Sequence, residues 1–401
     1  MSPANAAANR RITLLAGQRA VHAAFGWLHL HEQQIRRWQR EAICIPAPTF
    51  EEGLRAQWFL ERFRDLGLTN VHLDNAGNAL AELPGKTAQI VLLSAHLDTV
   101  FAADTEISLE EDEDGTLRAP GATDNAAGLT ALLALAAALR HAQITPEATI
   151  LFAANVGEEG EGDLRGMREL FGPSPYAKRI RAAIALEGAG TATVIDRALG
   201  GRRLRITISG PGGHSWADAD RPSPIVALAE AIVQLQKLKL PANPRTTLNV
   251  GTISGGTTVN SIPSSASADL DLRSAAAMEL DRLELSVLKT LTGVMARWED
   301  LHLSAERIGN RPAGVLSAQS ELALSLRAVD RHLQLVTDSR LGSTDANLPL
   351  SVGVPALAIG AGGIGGGIHT LNEWYTPFER TLALRRVLLL LLDTCDTVNA
   401  E

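Results

Sequence analysis

His96 and Asp98 stand one residue apart at the end of the apolar run Ile90-Val91-Leu92-Leu93, and Asp124, the pair Glu158-Glu159, Glu187 and His369 follow along the chain. Each falls where an expected strand gives way to a loop. Alternate side chains of a strand project to one face, so His96 and Asp98 point the same way from the strand's carboxyl end. One of them can bind a metal ion while the other orients it. Two histidines and several carboxylates spread over five strand-end loops offer nitrogen and oxygen ligands suited to two zinc-class ions, and leave one carboxylate for acid/base work. The pattern is that of a dinuclear hydrolase.

The elements that must hold these residues follow from the apolar periodicity. Residues 18–40 carry apolar positions at helical spacing, and Pro46 and Pro48 stop that helix. A helix over 51–66 follows, then strands at 71–74, 90–97, 148–154 and 182–186, with helix and strand alternating. This predicts an α/β domain with a mainly parallel central sheet, whose sites gather at the carboxyl ends of strands. The acidic run 106–114 ends in Asp114-Gly115, a tight-turn pair, and reads as a solvated hairpin tip. Near Gly200-Gly201 the texture changes. Strands at 203–209, 246–253 and 267–273 with helices at 224–237 and 277–296 describe a smaller α+β insert that closes at about Arg311-Pro312. A helix at 320–332 and a strand at 356–359 then resume the first domain. The expected division is therefore 1–198 with 313–401, and 199–312, the first domain being discontinuous because His369 lies beyond the insert.

The 401 residues exceed one typical core, and 45% hydrophobic with 20% charged residues is ordinary for a globular protein. A net charge of -8 with no strongly basic stretch argues against a nucleic-acid partner. The apolar stretches at 126–139 and 387–392 fall short of the roughly 20 residues a membrane helix needs and read as buried helices, so no membrane association is expected. Arg10-Arg11 precede a short apolar patch, but Gln18 and Arg19 cut it off below the length of a signal-peptide core. Only Cys44 and Cys395 are present, too few for a disulfide framework, and a reducing cytoplasm fits.

The strings SAHLDTV (94–100), GATDNAAG (121–128), GEEGEGD (157–163), LEG (186–188) and GGIHT (366–370), in that order, resemble the zinc peptidase and deacylase family that includes peptidase T, glutamate carboxypeptidase and acetylornithine deacetylase. The resemblance runs from about Pro46 to Pro377. It implies a zinc-peptidase catalytic domain with a lid and dimerisation insert, and two divalent ions per chain, zinc foremost with cobalt or manganese as alternatives. His96 and Glu187 would bind one ion, Glu159 and His369 the other, and Asp124 both. Asp98 would accept a hydrogen bond from the distal ring nitrogen of His96, Glu158 would be the general base, and a cis peptide is expected at Asp124-Asn125. From the insert, His214 in GPGGHSW would be an oxyanion donor reaching the partner subunit of a homodimer. Asn260 and Arg273 match positions that hold the substrate's carboxylate end.

Each residue also has a plainer reading. Asp124 could be a helix N-cap, Glu158 and Glu159 a solvated acidic loop, His214 a surface histidine, and Arg273 one half of a salt bridge at a strand end. The runs Ala361 to Gly367 and Gly342 to Asp345 resemble substrate-pocket loops, where glycine lets backbone approach a ligand. Phosphate binding is their rival reading, but no Lys-Ser/Thr follows. Phe50 departs from the small residue usual at its position in PxPTxEE, which alters the nearby amine-end pocket. GEEGEGDLRG looks closest to the tripeptidase branch, favouring a small peptide with a free amino terminus. An N-acyl-amino-acid deacylase is the alternative. A non-catalytic binding protein of the same fold is a third reading, opposed by the presence of all five ligands and the base.

Overall fold

Val91 and Leu93 of β3 (Thr87–His96) belong to one apolar core, Ile90 and Leu92 to another, and all four are fully buried. That is the mark of a strand covered on both faces. In the computed structural model, which describes residues 3–398, β3 lies inside a sheet with β1 (Thr69–Leu73), β2 (Ala79–Leu83), β6 (Ala148–Asn155), β7 (Ile180–Leu186), β8 (Thr193–Ala198) and β17 (Ala356–Ile359), in the order β1-β2-β6-β3-β7-β17-β8. The central strands β6, β3, β7 and β17 run parallel, and β1, β2 and β8 antiparallel to their neighbours. β16 (Asp338–Gly342) pairs with β8.

The Val91 side is covered by α4 (Gly53–Asp65), α5 (Ala126–His141), α9 (Glu321–His332) and α11 (Arg380–Thr397). Residues 126–139 of α5 are all buried, as befits a helix apolar on every side. The Ile90 side is covered by α6 (Arg165–Leu170) and α10 (Asn347–Ser351). An outer layer of α1 (Pro3–Ala16), α2 (Arg19–Leu30) and α3 (Glu32–Ile43) joins the first core. Arg11 of α1 reaches Glu321 and Asp393. The helix expected over 18–40 is broken at His31, whose ring stacks on Trp27 and whose Nδ1 lies 2.9 Å from the Trp27 carbonyl oxygen. A second small sheet holds β4 (Glu110–Glu111), β5 (Leu117–Arg118), β18 (Ile364–Gly366) and β19 (Trp374–Thr376). The acidic run forms its hairpin, with Gly115 left-handed and Glu111 paired to Arg36 and Arg40.

One unit comprises the chain up to Arg197 and from Val315 onward; the other is Ala198–Gly314. The second unit contains β9 (Gly200–Ser209), β11 (Thr246–Gly255), β13 (Ser265–Ser274) and β14 (His302–Arg311), antiparallel in the order β11-β13-β9-β14. α7 (Pro224–Leu235) and α8 (Ala277–Met295) complete its core. Short strands β10 (Gly213–His214) and β12 (Ser261–Ile262) pair beyond one end of β9 and β13, and β15 (Gly314–Val315) leads out of the unit. Among the described residues no helix is long and apolar enough to cross a membrane.

Candidate metal centre

His96 is the last residue of β3 and fully buried. Its Nδ1 faces the Asp98 carbonyl oxygen at 3.0 Å, with the Asp98 carboxylate at 3.7 Å. The ring nitrogen thus lies closer to the Asp98 main-chain oxygen than to the carboxylate expected to accept from it. The carboxylate has other donors: the Glu158 amide at 3.0 Å, the Glu159 amide at 2.8 Å and the Thr49 hydroxyl at 3.1 Å. Asp98 therefore ties the β3 end to the Glu158-Glu159 loop.

Asp124 sits in a turn before α5, and its peptide bond to Asn125 is cis. The cap of α5 is Asn125, whose Oδ1 accepts from the Gly128 amide, so Asp124 is free of that task. Its two oxygens face two different histidines: Oδ1 lies 3.0 Å from His96 Nε2 and Oδ2 3.2 Å from His369 Nε2. His96 Nε2 is also 3.3 Å from Glu187 Oε1, and His369 Nε2 is 2.8 Å from Glu159 Oε1. Gly157 and Gly160, both left-handed, bend the chain so that the buried Glu158 and Glu159 turn inward. Three sets, His96-Asp124-Glu187, Asp124-Glu159-His369 and His96-Glu158-Glu159, bring ligand atoms within 4.8 Å of one another.

The electrostatics favour cations. Burial alone would lower the His96 pKa, yet Glu187, Asp124 and Asp98 hold it well above the usual imidazole range. The hydrogen bond to Asp124, opposed by burial and aided by Glu159, raises His369 to about 9. Burial lifts Glu187 to about 7, and Asp124 and Asp345 add to it against the pull of His96. Burial works against ionisation of Asp124 too, but hydrogen bonds from His369 and His96 keep its carboxyl well below the carboxylate range. Glu187 Oε2 is buried and without a hydrogen-bond partner. Mixed imidazole and carboxylate donors around an excess of negative charge, with one orphaned carboxylate oxygen, fit zinc-class ions.

A model of the peptidase family M20/M25/M40 matches residues 92–394. The chain belongs to that family. Succinyl-diaminopimelate desuccinylase of Corynebacterium glutamicum is 27% identical over 330 residues, 80% of this chain and 86% of that protein. A tripeptidase from Staphylococcus aureus superposes with a TM-score of 0.73 at 22% identity, covering 91% of this chain and 98% of that one. A dinuclear metal-binding M20 peptidase from Bacillus subtilis gives 0.67 at 15% identity, over 91% and 98%. This M20 chain is accordingly a hydrolytic enzyme with the fold of those peptidases.

The insert residues of the M20 chain do not all converge. His214 and Asn260 lie together: β10 pairs with β12, and the Ser215 amide donates to the Asn260 carbonyl at 3.1 Å. Nδ1 of His214 accepts from the Trp216 amide at 3.1 Å. Arg273 sits at the other end of β13, opposite Gly201, with its Nε 2.7 Å from Asp271 Oδ2. The salt bridge that was its plainer reading is present. Gly342 ends β16, where a Cβ would lie 2.9 Å from Ile195 Cδ1. Its loop reaches the centre through Asp345, which accepts from Asn155 at the end of β6 at 2.8 Å.

The glycine run 361–367 is closely packed against the chain's own side chains. A Cβ at Gly363 would meet the Tyr375 ring at 2.4 Å, and one at Gly365 the Thr123 hydroxyl at 2.2 Å. Those glycines admit neighbouring side chains beneath the Asp124 turn. Glu373, missed in the sequence, is fully buried and accepts from the amides of Gly121 at 3.0 Å, Thr123 at 2.8 Å and Asp124 at 2.7 Å. Glu52 was missed too; it takes the Gly157 amide at 3.0 Å and both its oxygens bind Arg165. No local spacing signals Glu373, whereas Glu52 is the last residue of the PxPTxEE stretch and its role there went unread.

Proposed function

We propose that this M20 chain is a dinuclear metal-dependent exopeptidase that hydrolyses an amide bond of a small peptide with a free amino terminus. The observation that carries the reading is Asp124, whose two oxygens each face a separate histidine-glutamate pair. His96 and Glu187 would hold one ion, Glu159 and His369 the second, and Asp124 both, with zinc foremost and cobalt or manganese as alternatives. When bound, the ions supply Lewis acidity and a water of lowered pKa. Glu158 would act as general base toward an attacking water and would return the proton to the leaving nitrogen as the C–N bond breaks. Asp98 fixes Glu158 and Glu159 through their amides. His214 accepts main-chain N–H groups at Nδ1, which places its ring proton on Nε2, the tautomer an oxyanion donor needs. Arg273 and Asn260 would bind the substrate's carboxylate end, Arg273 by exchanging Asp271 for it, and the Gly342 loop would line the pocket.

The insert supports a homodimer. Arg273 and the His214 turn are separated by the length of β13, about 26 Å for eight residues, while an extended tripeptide spans only about 10 Å. One insert therefore cannot offer both groups to one substrate, and a second copy would supply His214, with Asn260 beside it. Exposed Ile225, Val226 and Val233 on α7, next to the exposed edge strand β11 with Ile253, give the face that copy would cover. Cys44 and Cys395, which form no disulfide among the described residues, suit a reducing cytoplasm.

The desuccinylase relative favours a second reading, deacylation of an N-acyl amino acid by the same centre. A hydrolysis panel of free tripeptides, N-acyl amino acids and N-carbamoyl compounds, on zinc-, cobalt- and manganese-loaded protein, decides between them. Fastest turnover of tripeptides is expected; preference for acyl amino acids moves the assignment to the deacylase, and no turnover with any metal removes both.

A further inference from the structure

We propose that Gln39, on α3, is a positioning residue of the hydrolytic centre, its side-chain amide locking the Ala122 carbonyl and with it the turn that presents Asp124. The inference rests on the metal-dependent reading above. Gln39 is fully buried, and its Nε2 donates to the Ala122 oxygen at 3.1 Å. Arg380 Nη1 donates to Gln39 Oε1 at 2.7 Å. A guanidinium can only donate, so it assigns the amide orientation and leaves Nε2 for Ala122. Arg380 is itself buried and anchored to Glu32 on α3.

The rest of the turn is tied just as fully. Glu373 takes the amides of Gly121, Thr123 and Asp124, the Ala122 amide donates to Ala119, the Gly121 carbonyl receives the Ala126 amide, and the Thr123 hydroxyl donates to the Trp374 carbonyl. The Ala122 carbonyl lies two residues before Asp124, on a buried residue, and Gln39 supplies its donor. Without it the carbonyl would have to turn to find another partner, rotating the Ala122–Thr123 peptide plane, whose N–H is held by Glu373 next to the Asp124 amide. Residue 39 lies before the stretch matched by the family model, which begins at 92. The N-terminal helical layer therefore does more than cover the core: it reaches the ligand turn with one polar side chain.

The test compares Gln39→Met, which keeps volume and removes both hydrogen bonds, Gln39→Glu, which keeps the acceptor for Arg380 but sets a carboxylate oxygen against Ala122, and Trp38→Phe, which loosens the packing of α3 without touching the turn. Zinc affinity by competition with a chelator, kcat and KM on the best substrate, Tm, and amide hydrogen exchange at 121–126 are measured on the full chain. Both Gln39 variants are expected to bind zinc roughly 10- to 100-fold more weakly, the scale for losing a partner that orients a ligand. Their kcat should fall with KM little changed, and exchange at 121–126 should quicken, while Gln39→Glu, which keeps the Arg380 contact, loses no more Tm than Trp38→Phe. Trp38→Phe should lower Tm and leave zinc affinity intact. Wild-type zinc affinity, kcat and exchange in both Gln39 variants would overturn the inference, as would a zinc loss that simply tracks Tm across all three. A wild-type protein that binds no zinc overturns the metal reading instead, and faster exchange confined to the Gln39 variants then still supports the positioning role.

Discussion

Removing the Glu373 carboxylate should loosen the centre without deleting any candidate ligand. Its three acceptor contacts, to Gly121 at 3.0 Å and to Thr123 and Asp124 at 2.8 and 2.7 Å, are all to buried main-chain donors. Hydrogen bonds to a charged group contribute about 1.5 to 3 kcal/mol each. Glu373→Ala strands all three donors, and after relaxation and water entry a loss of roughly 3 to 5 kcal/mol is expected, at the upper end of what single substitutions cost. Glu373→Gln behaves differently, because Thr123 and Asp124 share Oε1 while Gly121 uses Oε2. An amide can keep the shared oxygen and set its NH2 against Gly121, losing one contact, or about 1.5 to 3 kcal/mol. Urea denaturation of chelator-treated protein measures these costs apart from metal binding, and a zinc titration then reads the effect on Asp124. Equal destabilisation by the two variants, or less than about 0.5 kcal/mol from both, would refute the reasoning, since surface-like substitutions fall in that range.

Glu158→Gln should abolish turnover and leave metal content near that of wild type, whereas Asp124→Ala should lose the metal; elemental analysis beside a rate assay checks both, and metal loss in Glu158→Gln would reassign that residue. Arg273→Ala should lower kcat/KM for free-acid substrates by on the order of 2 to 5 kcal/mol and far less for their amides; equal losses on acid and amide would remove Arg273 from the carboxylate site. Mixing inactive Glu158→Gln with inactive His214→Ala chains should restore roughly a quarter of wild-type activity if subunits exchange freely, since half of the dimers are mixed and each holds one intact site. No recovery after demonstrated exchange, or a fully active monomer, would falsify completion across the dimer.

The parts legible in the sequence were those coded locally. Apolar runs marked β3, β6, β7 and β17, and His96, Glu158-Glu159 and Glu187 follow such runs directly, so their gathering at strand ends could be read from spacing, whereas Asp124 sits in the turn before α5 and His369 follows the short β18. β2 was missed because Ala79–Leu83 reads ALAEL, a composition that favours helix until β1 and β6 pair with it on both sides. β14 was missed for a similar reason: its polar, exposed residues become a strand by pairing with β9. Glu373 could not be found, since its partners lie about 250 residues away. In the glycine run a missing Cβ announces close approach without saying by what, and here Thr123, Tyr375 and Trp374 approach it. At Asp98 the residue was legible, but not that its carbonyl and its carboxylate would share one ring nitrogen, the carbonyl lying closer.

The turn carrying Asp124 is clamped from α3 on one side and from the segment around Glu373 on the other, with the whole of Ala198–Gly314 translated in between. A ribosome delivers these pieces in order, N-terminal residues first. His96, Asp124, Glu159 and Glu187 emerge while His369 and Glu373 are still unmade, and the contacts that fix the turn close only over a very long loop. The nascent chain thus carries half-built candidate ligand sets until His369 and Glu373 emerge. A chain stalled before His369 therefore holds the candidate carboxylates Asp124, Glu159 and Glu187 but lacks both the second histidine and the carboxylate that sets the turn.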